Sequence, residues 1–105
     1  FPWHESSDER PGVLVSPGFV IEDRKIRSIH LAPMSSAIDL FDQSRHFRIK
    51  ADSPYFEATG LRRESYVALD MLTVCPKALL TDPQGEIEGD LARQLGEFIQ
   101  RYFRY

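Results

Sequence analysis

The sequence predicts a mainly β domain closed by one C-terminal helix, and three observations carry that prediction. Short apolar runs alternate with turn-forming residues from Arg10 to Pro76. His46-Phe47-Arg48-Ile49-Lys50 alternates polar and apolar side chains with the period of a half-buried strand. Ile87, Leu91, Leu95, Phe98, Ile99 and Tyr102 recur at helical spacing, opposite Glu88, Asp90, Arg93, Glu97 and Arg101. Several short strands followed by one helix form an antiparallel barrel or half-barrel with the helix as its cap.

Each element follows in chain order. Val13-Leu14-Val15, between Arg10-Pro11-Gly12 and Ser16-Pro17-Gly18, reads as a strand and a turn. Ile26 to Ala32 reads as a second strand, closed by Pro33. In the 46–50 strand Phe47 and Ile49 are expected to face the core, with His46, Arg48 and Lys50 as a basic ladder opposite. Asp52 to Gly60 reads as a loop, and Ser65 to Val74, rich in Val, Leu, Tyr and Thr, as the longest strand. Pro76 and Asp82-Pro83-Gln84-Gly85 punctuate the chain before the helix, whose early acids and late Arg101 and Arg104 suit its dipole.

A chain of 105 residues, 42% apolar and 28% charged, is expected to form one domain, 1–105. No apolar run reaches the ~20 residues of a membrane helix, and Phe1 to Arg10 lacks the order of a signal peptide, so a cytoplasmic protein is expected. Cys75 is the one cysteine, which excludes an intrachain disulfide, and no CxxC or HExxH pattern offers a metal site or calls for a cofactor. A net charge of −3 argues against coating nucleic acid by bulk electrostatics. Residues 24–63, however, hold eight basic against four acidic side chains, a basic middle between acidic ends that is compatible with one RNA-binding face and also with a solvated surface.

Read residue by residue, the chemistry is thin: His4-Glu5, Arg10, Ser35-Ser36 and Asp70 match no spaced catalytic motif. A resemblance enters at three segments. His4-Glu5-Ser6-Ser7-Asp8-Glu9-Arg10-Pro11 followed by Gly12-Val13-Leu14-Val15-Ser16 resembles the opening of the PemK/MazF family, an acidic loop leading to an Arg-Pro pair and an apolar strand. Ile29 to Ser36 is similar to that family's second block, an apolar run ending in a Thr/Ser pair, and Gly60 to Thr73 is similar to its third. The terminal helix sits where the family has one.

The resemblance implies an SH3-like small barrel of the PemK/MazF/CcdB type, paired as a homodimer, acting as the toxin of a type II toxin-antitoxin system. It implies metal-independent cleavage of single-stranded RNA, in which the ribose 2′-hydroxyl attacks the adjacent phosphate and leaves a cyclic phosphate. In that scheme Arg10 matches the catalytic arginine and Ser35 the hydroxyl that supports the same phosphate. Asp70 aligns with an acid that serves as general base in the PemK branch, and His4 with an assisting histidine. Glu5, Ser36, Arg48, Lys50 and Arg62 are the expected RNA contacts. The plain structural alternatives are a turn arginine paired with Glu9 or Asp8, a strand-end hydroxyl, and a structural ion pair for Asp70. His30, His46 and Cys75 are expected to be packing or surface residues.

Two departures accompany the resemblance. Ala68 stands where the PemK branch has an arginine, and the chain starts at Phe1-Pro2-Trp3, where family members carry an earlier strand, so a strand is expected to be absent. They motivate two alternatives, a non-catalytic binder of the gyrase-inhibiting type and a degenerate member that has lost cleavage. Cleavage preference is expected to reside in the loops Pro17 to Lys25 and Ala37 to Arg45, and the antitoxin to be a partly disordered acidic segment lying over the groove.

Overall fold

The computed structural model describes residues 1–6 and 10–104. Its strands are β1 (Pro2–Ser6), β2 (Pro11–Leu14), β3 (Ser28–Ser35), β4 (His46–Ile49), β5 (Ser65–Ala68), β6 (Thr73–Pro76) and β7 (Leu80–Glu86). Its helices are α1 (Gly18–Glu22), α2 (Phe56–Thr59) and α3 (Gly89–Tyr102). The seven strands form one antiparallel sheet in the order β4-β5-β3-β2-β1-β7, with β6 also on β3. The fold is thus mainly β with a C-terminal helix, as the periodicities predict.

Strand β3 organises the sheet. One of its edges pairs with β2, and the other pairs first with β6, through Ser28↔Pro76 to Leu31↔Thr73, and then with β5, through Met34↔Val67 and Ser35↔Tyr66. Between those two ladders the register slips by three residues, which the chain spends on a 3-10 turn at Leu69–Met71. The long strand expected over Ser65 to Val74 is therefore two strands on one partner, split by that turn. Pro33, expected to end its strand, lies inside β3 opposite the interruption, where the ladder is broken and a missing N–H is tolerated.

Other differences have similar causes. Residues 4–6, expected in an acidic loop, belong to β1, which runs between β2 and β7. Asp82-Pro83-Gln84-Gly85, expected as a turn, lies within β7, an end strand whose free side accommodates a proline. The segments 52–60 and 17–25, expected as loops, carry the short helices α2 and α1, and the Lys77 ammonium donates to the Asp23 carbonyl beyond α1 at 2.8 Å. His46, expected on an outward basic ladder, is 7% exposed.

Helix α3 covers the core. Leu91 and Leu95 from its apolar stripe, and Ile87 just before it, pack with Trp3, Val13, Ile49 and Val67, while Phe98 meets Phe47 edge-on at 5.9 Å. Each such buried aliphatic side chain contributes roughly 1.5–3 kcal/mol. A smaller cluster of Leu14, Ile29, Leu31 and Cys75 lies under α1, and His30 is exposed.

At Gly85 an added Cβ would strike the Thr59 carbonyl and come within 2.7 Å of the Trp3 indole nitrogen, whereas at Gly18 it would meet nothing within 4 Å. Gly85→Ala is expected to cost at least about 1–3 kcal/mol, the usual range for overpacking. Gly18→Ala, at a helical position, should be neutral or stabilising by up to about 1 kcal/mol. Urea midpoints of the two variants check both.

Candidate functional site

The sheet register assembles the site. Glu5 of β1 pairs with Pro11 of β2, and Gly12 of β2 pairs with Pro33 of β3. The β2–β3 ladder begins at Gly12↔Pro33, so Arg10 precedes it by two residues, and Ser35, two residues beyond Pro33 on β3, pairs with Tyr66 of β5. Residues far apart in sequence thereby share one end of the sheet.

That end opens into a cavity of about 510 Å³ lined by Trp3, Glu5, Pro11, Met34, Ser35, Ser36, Gly60, Leu61, Arg62, Arg63, Ser65 and Gln84. Trp3 and Glu5 reach it because alternate residues of a strand share a face. The cavity offers one carboxylate, two guanidinium groups, three hydroxyls and one carboxamide. Ser35 Oγ accepts the Ala37 backbone N–H at 3.1 Å, the strand-end contact expected of such a residue, which leaves the hydroxyl proton to donate elsewhere. Exposed Arg10 adjoins the cavity wall at Pro11.

Four of the expected site residues, Glu5, Ser35, Ser36 and Arg62, line this cavity; Arg10 is next to the lining residue Pro11 in the chain, and His4, Arg48, Lys50 and Asp70 are not part of the lining. His4, on the other face of β1, places Nδ1 2.7 Å from the Thr81 carbonyl oxygen. Arg48 donates to Glu64 at 2.7 Å, lies over the Phe41 ring, and shares with Lys50 a second cavity of about 360 Å³ beside Asp90 and Gln94 of α3. The suggested pairing of Arg10 with Asp8 or Glu9 lies outside the described residues.

Asp70 sits on the 3-10 turn that splits β5 from β6, with one carboxylate oxygen 3.1 Å from His46 Nε2 and the other 3.3 Å from Arg45. His46 Nδ1 accepts the Asp42 backbone N–H at 3.0 Å, so the proton of the neutral ring is on Nε2 and is donated to Asp70. The imidazole also stacks on Tyr66, centroids 4.5 Å apart. These partners explain why His46 is buried where strand alternation puts it outside. Asp70 is held in the structural ion pair that stood as its alternative.

Sequence reading did not single out Trp3, Gly60, Arg63, Ser65 or Gln84 as cavity residues. Gly60, Arg63 and Ser65 fell within the third resembling segment without a role of their own, and for Gln84 the trace was the Pro83-Gln84-Gly85 punctuation, which signals irregular backbone without saying what that backbone approaches.

What the chain shares with solved proteins is a fold, the β sheet and C-terminal helix of MazF toxins. It superposes on the Mycobacterium tuberculosis toxin MazF-mt6 with a TM-score of 0.76 at 20% identity, over 98% of this chain and 96% of that one. A second solved structure, described as an Mtb toxin, matches with a TM-score of 0.74 at 18% identity, over 96% of this chain and 99% of that one. No family model matches the sequence, and no curated protein matches it significantly.

The turn that presents His46 is itself charge-stabilised. The Asp42 carboxylate is lowered from its ordinary 3.8 to about 2, first by the hydroxyl of Ser44 and its backbone N–H and then by Arg45. A lowered carboxylate contributes stability that is present above its unfolded value and lost as pH falls through the folded one. An NMR titration should therefore place the Asp42 midpoint near 2, with the turn's contribution fading between pH 3.8 and 2. Ser44→Ala should raise that midpoint, and a wild-type midpoint at the ordinary value would mean the turn is open in solution.

Proposed function

We propose that this chain is the toxin of a type II toxin-antitoxin system, an endoribonuclease that cleaves single-stranded RNA without a metal and leaves a cyclic phosphate. The observation that carries the reading is the convergence of Glu5, Ser35, Ser36 and Arg62 on one cavity beside Arg10, within a fold like that of MazF-mt6. The mechanism needs a base for the 2′-hydroxyl, donors for charge developing on the phosphate, and an acid for the leaving oxygen. Glu5, the cavity's carboxylate, takes the 2′-hydroxyl proton as that oxygen attacks phosphorus. Arg10 holds the phosphate oxygens through its fork, and solvent water supplies the proton to the 5′-oxygen as the P–O bond breaks. Ser35 donates its hydroxyl proton to a non-bridging oxygen. Ser36 and Arg62 bind flanking RNA.

This reading gives Asp70 and His4 supporting rather than chemical roles, because their polar atoms are engaged by His46, Arg45 and Thr81. Arg48 and Lys50 belong to a more distant part of the RNA path. The active species is a cytoplasmic homodimer with no cofactor, silenced by an antitoxin whose acidic, partly disordered segment covers the groove. Light scattering at micromolar concentration should give twice the monomer mass, and a monomer would count against the dimer.

Cleavage of a long RNA in EDTA tests the activity. Arg10→Ala should lower the rate about 10²–10³-fold, the effect of removing one charge-stabilising donor, and change stability by roughly 0.5 kcal/mol or less. Arg10→Lys should rescue poorly, since a point charge lacks the bidentate fork. Glu5→Gln should be similarly inactive while Asp70→Asn keeps most activity and loses stability instead. Absence of cleavage by the wild type would favour the non-catalytic binder on the same fold.

A further inference from the structure

The cavity contains one residue whose position is set by a break in the sheet. Trp3 of β1 pairs with Gly85 of β7, but His4 pairs with Pro83, so the ladder slips by one and Gln84 has no residue opposite it. This is a β-bulge, and bulges beside sites turn a side chain in a direction that regular pairing forbids. Here the turned side chain is Gln84, and it lines the cavity.

The bulge is held from both sides. The Trp3 indole N–H donates to the Thr59 carbonyl at 2.5 Å, and Thr59 is fully buried, its hydroxyl donating to the Phe56 carbonyl at 2.6 Å. Gly60 has a φ of +75°, and a Cβ there would lie 2.8 Å from the Gln84 carbonyl oxygen. Gly85 meets the same wall, where a Cβ would strike the Thr59 carbonyl. Only glycines allow the segment leading to Arg62 to close this tightly on β7. Gln84 therefore projects from fixed backbone although its side chain is exposed.

Its chemistry differs from that of the other cavity groups. Arg62 and Arg63 suit phosphates, and Glu5 and Ser35 belong to the reacting centre proposed above. One Gln84 amide N–H is donated to the Asp82 carbonyl at 3.1 Å, which orients the group. The other N–H and the carbonyl oxygen remain, a neutral donor and acceptor side by side. That pair complements a nucleobase edge rather than a phosphate. From the bulge, the lock behind it and this amide, we infer that Gln84 is a specificity-determining residue that reads the edge of one unpaired base in the bound RNA. It lies in β7, outside both loops expected to set cleavage preference, and the inference rests on the proposed RNA-binding role of the cavity.

The test replaces the amide in two ways and reads base preference by two routes. Cleavage ends are mapped on a long mixed-sequence RNA, and binding is measured by fluorescence anisotropy with four short oligoribonucleotides that differ at one base. Gln84→Glu keeps the shape and exchanges the donor for an acceptor, so preference at one position should move by roughly tenfold or more toward a base offering adjacent donors, such as guanine. Gln84→Leu should flatten preference at that position while the others persist. Both variants should keep the wild-type thermal midpoint. Base preferences unchanged in both variants would overturn the inference even if the wild type cleaves RNA normally. Conversely, a wild type that does not cleave, yet binds with a base preference that Gln84→Glu redirects, would remove the nuclease reading and leave the base contact standing.

Discussion

The antiparallel register running from β1 through β2 and β3 to β5 is the constraint on which the site depends. Five separate stretches of chain contribute to the cavity, and none carries a recognisable motif alone. Register makes them one site, because strand pairing fixes each residue's neighbours and its face together. A one-residue slip of β2 on β3 would turn Pro11 off the cavity wall and Val13 out of the core. The packing that buries Val13, Ala32 and Val67 therefore also enforces the alignment of the polar residues. Core and site are specified by the same pairing.

Two of the register breaks have identifiable consequences. On β3, the Leu69–Met71 turn lifts Asp70 out of the ladder and lets it reach His46 and Arg45. Through His46 and the Asp42 N–H, that contact ties the 42–46 turn to the sheet. The bulge at Gln84 turns its side chain into the cavity. An acidic residue at a strand interruption thus acts on a buried imidazole, while a neutral amide at a bulge faces the cavity.

The sequence made the periodic features legible and hid the irregular ones. The stripe of α3 and the alternation of β4 were readable because burial repeats at the period of the backbone. The exception was His46, whose burial depends on partners contributed by Asp42, Tyr66 and Asp70, none of which alternation can foresee. Four of the twelve residues that line the cavity were visible for a different reason: Glu5, Ser35, Ser36 and Arg62 fell in segments that resemble a known family. Trp3, Gly60 and Gln84 were invisible because their meaning lies in a close approach between α2 and β7, a contact between residues more than twenty positions apart. Proline and glycine in β7 were read as a turn, since a bulged end strand and a turn use the same residues.

The charge distribution constrains how such a cavity can work. A chain with a net charge of −3 gains little from long-range attraction to RNA, and the cavity itself sets a carboxylate among its guanidinium groups. On the proposed reading, binding would come from short-range contacts made once the strand is seated: a phosphate on Arg10 and Arg62, hydroxyls on its oxygens, and a base edge on an amide. Contacts of that kind are directional, and they reward the correct strand more than they attract any strand. In the proposed mechanism a carboxylate next to the phosphate opposes ground-state binding and becomes favourable only as it accepts the 2′-hydroxyl proton, which is the condition under which binding energy lowers a barrier.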